Sequence, residues 1–227
     1  MRGFALPRYH ATPPAGGALM RRFASLGDDC EFGLVQRACD AEPQDLLRWV
    51  GTDAARLVLG LCRRFDGLGD PAATRLEWHE AVQEYRLNDP RYLSLHTWNG
   101  ARPDNAAAEA ELHLAGCARM RLLRRKLLAD IVAARRIFVF KESREDATPD
   151  GHFAVHAALR GIGPAPLLCL VVAATPDKIG RVEERGDGFY LGHTDRFSRT
   201  DIAHDTWHRI CATTAALVDA RAAVAPG

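Results

Sequence analysis

Two runs, IFVF at residues 137–140 and PLLCLVV at 166–172, are apolar at consecutive positions rather than at alternate ones. An extended segment that is apolar on both sides must be covered on both faces, as parallel strands are inside α/β domains. Between them, HFAVHAALRGIG (152–163) repeats apolar residues at helical spacing and closes on glycine. Strand, helix and strand in that order predict a largely parallel sheet with helices on both faces. Arg22 to Leu26 supplies an earlier strand, and Asp28 with Glu31, three apart, reads as a capping box with Asp28 as N-cap. Residues 45–50 read as a short extended piece, Thr52 or Asp53 caps a helix running through Arg64, and 104–136 is the longest helical stretch. Alternation across residues 75–98, with Asn88-Asp89-Pro90 at its centre, reads as a β-hairpin insertion. A second hairpin is expected around the Gly186-Asp187-Gly188 turn, followed by a last helix from Asp201 to Asp219. The expected fold is therefore α/β: three layers, α/β/α, with a mainly parallel sheet plus the hairpin insertion. It forms one domain over 21–220, between a loose Pro- and Gly-bearing arm (1–20) and a fraying tail (221–227).

Charge and cysteine usage narrow the class. Thirty Lys and Arg against 29 Asp and Glu leave a formal net charge of +1, so no overall field steers nucleic acid or a membrane surface. The most basic stretch, MRLLRRKLLADIVAARR (120–136), sets leucines on one face and arginines on the other, and reads as a solvated helix. No apolar run approaches the roughly 20 residues of a membrane-spanning helix. The six cysteines (Cys30, Cys39, Cys62, Cys117, Cys169, Cys211) form no C-x-x-C pair. That excludes a zinc ribbon and suits reduced thiols in a cytoplasmic protein. Neither G-x-G-x-x-G nor G-x-x-x-x-G-K-[ST] occurs, and no G-x-S-x-G elbow, so no cofactor is expected.

Ligands of open parallel sheets gather at the carboxyl ends of the strands. One such end carries Ser25-Leu26-Gly27-Asp28-Asp29-Cys30. A thiol in a first helical turn sees free N–H groups and the positive helix end, which favour thiolate, while Asp28 and Asp29 oppose it. The same amides, with that of Gly27, suit an oxyanion hole. The competing reading is a small apolar side chain filling the strand–helix joint. Asp201-x-x-His204 and Asp205-x-x-His208 each offer an acid that can orient an imidazole base; their plainer reading is helix capping with exposed histidines. His204 and His208, four apart, also outline a metal-binding helix face, with His193 or Asp195 as a further ligand. His96 and Asn99 can orient a base or hold substrate, and Lys141 follows a buried strand into the same cleft or pairs with a neighbouring acid.

The segment S-L-G-D-D-C-E-F (25–32), followed by Leu47-Arg48-Trp49, resembles a bacterial family of unknown function labelled putative papain-like cysteine peptidase. Its members read S-L-G-x-x-C and then a P-F-D-W-like segment; this chain has leucine and arginine before the tryptophan. The basic helix leading into IFVFK is similar to that family as well. Motif order, with cysteine after the first strand and D-x-x-H near the end, is similar to SGNH/GDSL-type hydrolases. The resemblance implies an SGNH- or flavodoxin-like arrangement with Cys30 as nucleophile. His204 or His208 would be the base, Asp201 or Asp205 its partner, and Gly27 with the first-turn amides would hold the oxyanion. It also implies a hydrolase or acyltransferase acting on an ester, amide or thioester, with a small-molecule or glycan substrate of bacterial surface-polysaccharide chemistry. The alternatives are a non-catalytic glycan- or protein-binding module on the same fold, and a metal-dependent hydrolase using His204 and His208.

Overall fold

The computed structural model describes residues 16–97, 99–141, 143 and 149–224, and the backbone alone at Pro149. Most of the expected arm, Trp98, Glu142, Arg144 and the last three residues lie outside them.

The main sheet has five strands: β1 (Phe23–Ser25), β6 (Ile137–Lys141), β7 (Leu167–Val172), β9 (Phe189–Thr194) and β8 (Val182–Gly186), side by side in that order. The first four are parallel, and β8 closes one edge antiparallel to β9. Ile137–Lys141 is buried at every position and Leu167–Leu170 likewise, because both faces are covered. One face carries α3 (Ala54–Cys62), α4 (Ala106–Val132) and α5 (Pro149–Arg160); Leu57, Met120, Leu127, Val155 and Leu159 join Phe138 and Phe140 in one core. The other carries α2 (Glu31–Ala38) and α6 (His204–Val224), whose Phe32, Val35, Trp207 and Ile210 pack on Ile137, Val139, Leu168 and Tyr190. The α/β layering read from the two apolar runs is present.

Three features differ from expectation. Residues 75–98 are more than a hairpin: β3 (Arg75–His79), β4 (Glu84–Asp89) and β5 (Leu93–His96) join β2 (Val50–Gly51) in a separate antiparallel sheet ordered β2-β5-β4-β3. Leu87 and Leu95, paired across β4 and β5, bury one of its faces in the first core. Residues 17–20, assigned to the arm, form the short helix α1 (Gly17–Met20), anchored by the fully buried Met20. Residues 221–224, assigned to the tail, continue α6. Among the described residues no helix is long and apolar enough to cross a membrane.

Candidate functional site

The turn from β1 into α2 is held by a buried ionic cluster. Gly27 has φ +101°, and a Cβ there would stand 2.7 Å from Thr52 Cγ2, so only glycine lets the chain pass this close to the second sheet. Asp28 follows at φ +80°. An aspartate in this region costs on the order of 1 kcal/mol or more, and its carboxylate is held there by three donors. Lys141 Nζ lies 3.2 Å from Asp28 Oδ2, the Ser143 amide 3.1 Å and the Ser143 hydroxyl 2.8 Å. The same ammonium reaches Asp29 Oδ1 at 3.0 Å and Glu31 Oε2 at 3.1 Å. Glu31 is sealed from solvent and also accepts from Trp207 Nε1 (2.9 Å) and the Ser198 amide (3.2 Å).

Burial alone would lower the pKa of Lys141, but Asp29, Glu31 and Asp28 more than reverse it, so the ammonium is held above its ordinary value. Burial raises the Glu31 carboxyl against the pull of Lys141 and Trp207. Lys141, expected in a substrate cleft, is therefore consumed by three carboxylates, and Asp28 and Asp29 are its partners.

This turn also rewrites the expected helix cap. With Gly27 and Asp28 both left-handed, the helix starts later: Cys30 takes the cap position, and Asp29 Oδ1 accepts from the Glu31 amide at 2.8 Å. The Gly27 amide donates to Ser25 Oγ at 3.1 Å. Two of the amides assigned to an oxyanion hole are thus engaged within the turn. Cys30 is 8% exposed, and its thiol is pushed up to about 11, chiefly by burial and then by Asp29. At that value the thiol stays protonated near neutral pH: burial and Asp29 work against the thiolate that a helix end favours.

The imidazole that shares Cys30's surroundings comes from β5. Arg199, Glu84 and Arg86 act on the Cys30 thiol, and the same three act on His96. The β4–β5 register sets Arg86 opposite His96, and His96 Nδ1 lies in close contact with Glu84 Oε1. Glu84 is buried, so its carboxylate favours the tautomer with the proton on Nδ1, which leaves Nε2 as the basic nitrogen. Burial pulls the His96 pKa below its ordinary value, Arg86 and Arg199 adding to it against Glu84, so the ring is a neutral base near pH 7.

The acid–histidine pairs of the last helix form differently. Helix α6 begins at His204, which leaves Asp201 exposed outside it, bound to Arg196 Nη2 at 3.1 Å. Asp205 acts on its neighbour His204, whose pKa is lowered chiefly by burial. Among the described residues no side-chain hydrogen bond joins Asp205 to His208, and none of the main charges acting on Cys30 comes from α6. Nor do the described residues hold three or more His, Cys, Asp or Glu side chains placed to bind a metal ion. His193, a proposed further ligand, is bound through Nε2 to Glu183 Oε1 at 3.0 Å, and Asp195 pairs with Arg196.

A cavity of about 480 Å³ opens beside His96 and is lined also by Asn99, Trp49, Arg37, Gln44 and Arg119. Cys30, Gly33 and Arg37 are spaced three and four apart and so share one face of α2. Gly33 leaves room for the Trp49 ring, which a Cβ there would meet at 2.6 Å. Arg37 and Arg48 lie over that ring at 4.7 and 4.5 Å. Arg48, buried, donates to the carbonyls of Gly33 and Ala41 at 3.0 Å each, fixing Trp49 between the thiol's helix and His96. Glu84, Arg86, Arg199 and Arg48 were missed from sequence. The first two were accessible, because a turn at Asp89–Tyr92 dictates that Arg86 faces His96 and puts Glu84 on the same side.

Protonating the buried His152 and the half-buried His96 and His204 should weaken the fold. His96, His152 and His204 all have depressed values. The unfolded chain therefore takes up protons first, and stability present above about pH 6.5 is lost as pH falls through and below it. Urea midpoints at pH 7.5 and 6.0 should differ, the lower at pH 6.0; an unchanged midpoint would show that these rings do not set the pH response. No family model, no curated protein and no solved structure matches the chain.

Proposed function

We propose that the protein is a thiol hydrolase or acyltransferase in which Cys30 is the nucleophile, His96 its general base and Glu84 the residue that orients that base. The observation that carries this reading is the geometry around Trp49: its ring packs on Gly33, one turn from Cys30, its carbonyl accepts from the His96 amide at 3.0 Å, and a buried carboxylate lies against His96 Nδ1. Because the resting thiol is neutral, the proton leaves as the bond forms. Sulfur attacks the acyl carbon, His96 Nε2 takes the thiol proton and then delivers it to the departing oxygen, nitrogen or sulfur. Water or a second acceptor releases the acyl group from Cys30. Arg199 and Arg86 supply positive charge near the developing oxyanion, the role first given to Gly27 and its neighbours. Asn99, Gln44 and Trp49 in the adjoining cavity suit a polar small molecule or a sugar-linked acyl group.

The test is acetyl transfer from p-nitrophenyl acetate, followed by intact and peptide mass spectrometry. The acetyl group should appear on Cys30 ahead of the exposed Cys62, vanish in Cys30→Ala, and form at least about a hundredfold more slowly in His96→Ala, the scale of general-base loss. Labelling of Cys62 and lysines alone, equal in both variants, would refute the catalytic assignment. The second reading, a binding module, is favoured by the neutral sulfur and the engaged turn amides. It predicts that unreactive chain, with Trp49→Ala weakening ligand capture.

A further inference from the structure

A second cavity, about 560 Å³, lies at the opposite edge of the main sheet, where the parallel strands begin. Arg22 precedes β1 and Arg136 precedes β6, while Arg135, Arg160 and Arg221 stand at or just beyond the ends of α4, α5 and α6. All five arginines line this cavity, and Asp187 is the acid among the lining residues. Ile137, Pro164, Pro166 and Val218 make its apolar wall.

Arginines near helix C-termini complement the helix dipole. That effect alone requires neither their convergence on one cavity nor the two sealed polar atoms found there. Tyr190 lines the cavity with no exposure, its hydroxyl beside Arg221, and the buried Nε of Arg136 has no hydrogen bond among the described residues. Arg136 is tied to Asp45 and to the Phe23 carbonyl, but three of the acids that pair with the rim arginines are themselves solvated: Asp219 with Arg22, Asp187 with Arg160 and Glu184 with Arg221. Exposed pairs of this kind hold by about 0–1 kcal/mol, so an incoming oxyanion can exchange with them. Arg135 is the least engaged, with Asp130 at 3.8 Å.

We propose that this cavity binds a small anion carried on an apolar body, its phosphate or carboxylate oxygens held by the arginine rim and its body by the Ile137, Pro164, Pro166 and Val218 wall. Guanidinium groups match both oxyanions in paired hydrogen bonds. The site is on the far edge from Cys30 and does not depend on any chemistry there.

Calorimetric titration of the full chain at low salt with phenyl phosphate and with benzoate tests it, using inorganic phosphate and phenol as probes that lack the body or the charge. One saturable site is expected for at least one aromatic anion, on the order of tenfold tighter than for phosphate or phenol, and the tighter of the two identifies the head group. Arg135→Ala with Arg160→Ala should weaken it on the order of tenfold, with melting temperature showing that the variant is folded. Cys30→Ala should bind as the natural chain does, which separates this site from the proposed catalytic one. No saturable binding by either anion, or binding undiminished in the folded arginine variant, would overturn the proposal.

Discussion

Lys141→Met is expected to lower the stability of the fold by about 3–5 kcal/mol, the scale of a buried ion cluster that loses one partner. The side chain is 2% exposed, and Asp28, Asp29 and Glu31 all lie within 3.2 Å of its ammonium. Methionine fills much of the volume but leaves three carboxylates facing one another. Their remaining donors, Ser143, Ser198 and Trp207, carry no charge.

The deficit should depend on pH with a definite sign. Without the cation Glu31, already raised by burial, becomes easier to protonate in the folded chain than in the unfolded one, where a glutamate titrates near pH 4. A group raised in this way favours folding when protonated, so the loss is greatest near neutrality and shrinks toward pH 5. Adding Asp28→Asn to Lys141→Met should recover part of it. Urea unfolding at pH 7.5 and 5.0 measures both effects, and a variant within about 1 kcal/mol of the natural chain at pH 7.5 would contradict the cluster's structural role.

The second large effect is at Trp207. Its ring is fully buried against Phe32, with centroids 5.1 Å apart, and its Nε1 donates to Glu31 Oε1 at 2.9 Å. Trp207→Ala should cost about 3–5 kcal/mol through the cavity it leaves. Trp207→Phe keeps most of the apolar contact and removes the donor to a carboxylate, about 1.5–3 kcal/mol. The comparison separates packing from hydrogen bonding. If Phe is tolerated as well as Trp, Glu31 does not need its indole partner and the account of the cluster fails.

How far the sequence was readable follows from which interactions are local. The buried runs at 137–140 and 166–172 announce parallel strands because each is apolar at adjacent positions, and that information needs no partner. Asp53 capping α3 is equally local, its Oδ1 accepting from the Arg56 amide. The short β2 was not legible: Leu46–Trp49 are turn residues, and only Val50 and Gly51 pair, with a strand more than forty residues later. The cap of α2 was misplaced because Asp28–Glu31 has the spacing of a capping box. The left-handed pair Gly27-Asp28, forced by the second sheet and by Lys141, overrides that pattern. The surroundings of His96 were hidden for a related reason. Asp-x-x-His is visible as a string, whereas His96 meets Glu84 only after β4 and β5 have paired.

The cluster's connections have a consequence for the nascent chain. Asp28, Asp29 and Glu31 leave the ribosome early, but their cation follows 110 or more residues later, and the Ser198 and Trp207 donors to Glu31 lie 167 and 176 positions on. Until residue 141 has been made, the segment around Cys30 lacks the cation that neutralises its acids in the fold. Contacts this distant in sequence form late. The turn that seats Cys30 thus waits on residues 141, 198 and 207, and a product broken off before α6 lacks the indole that donates to Glu31.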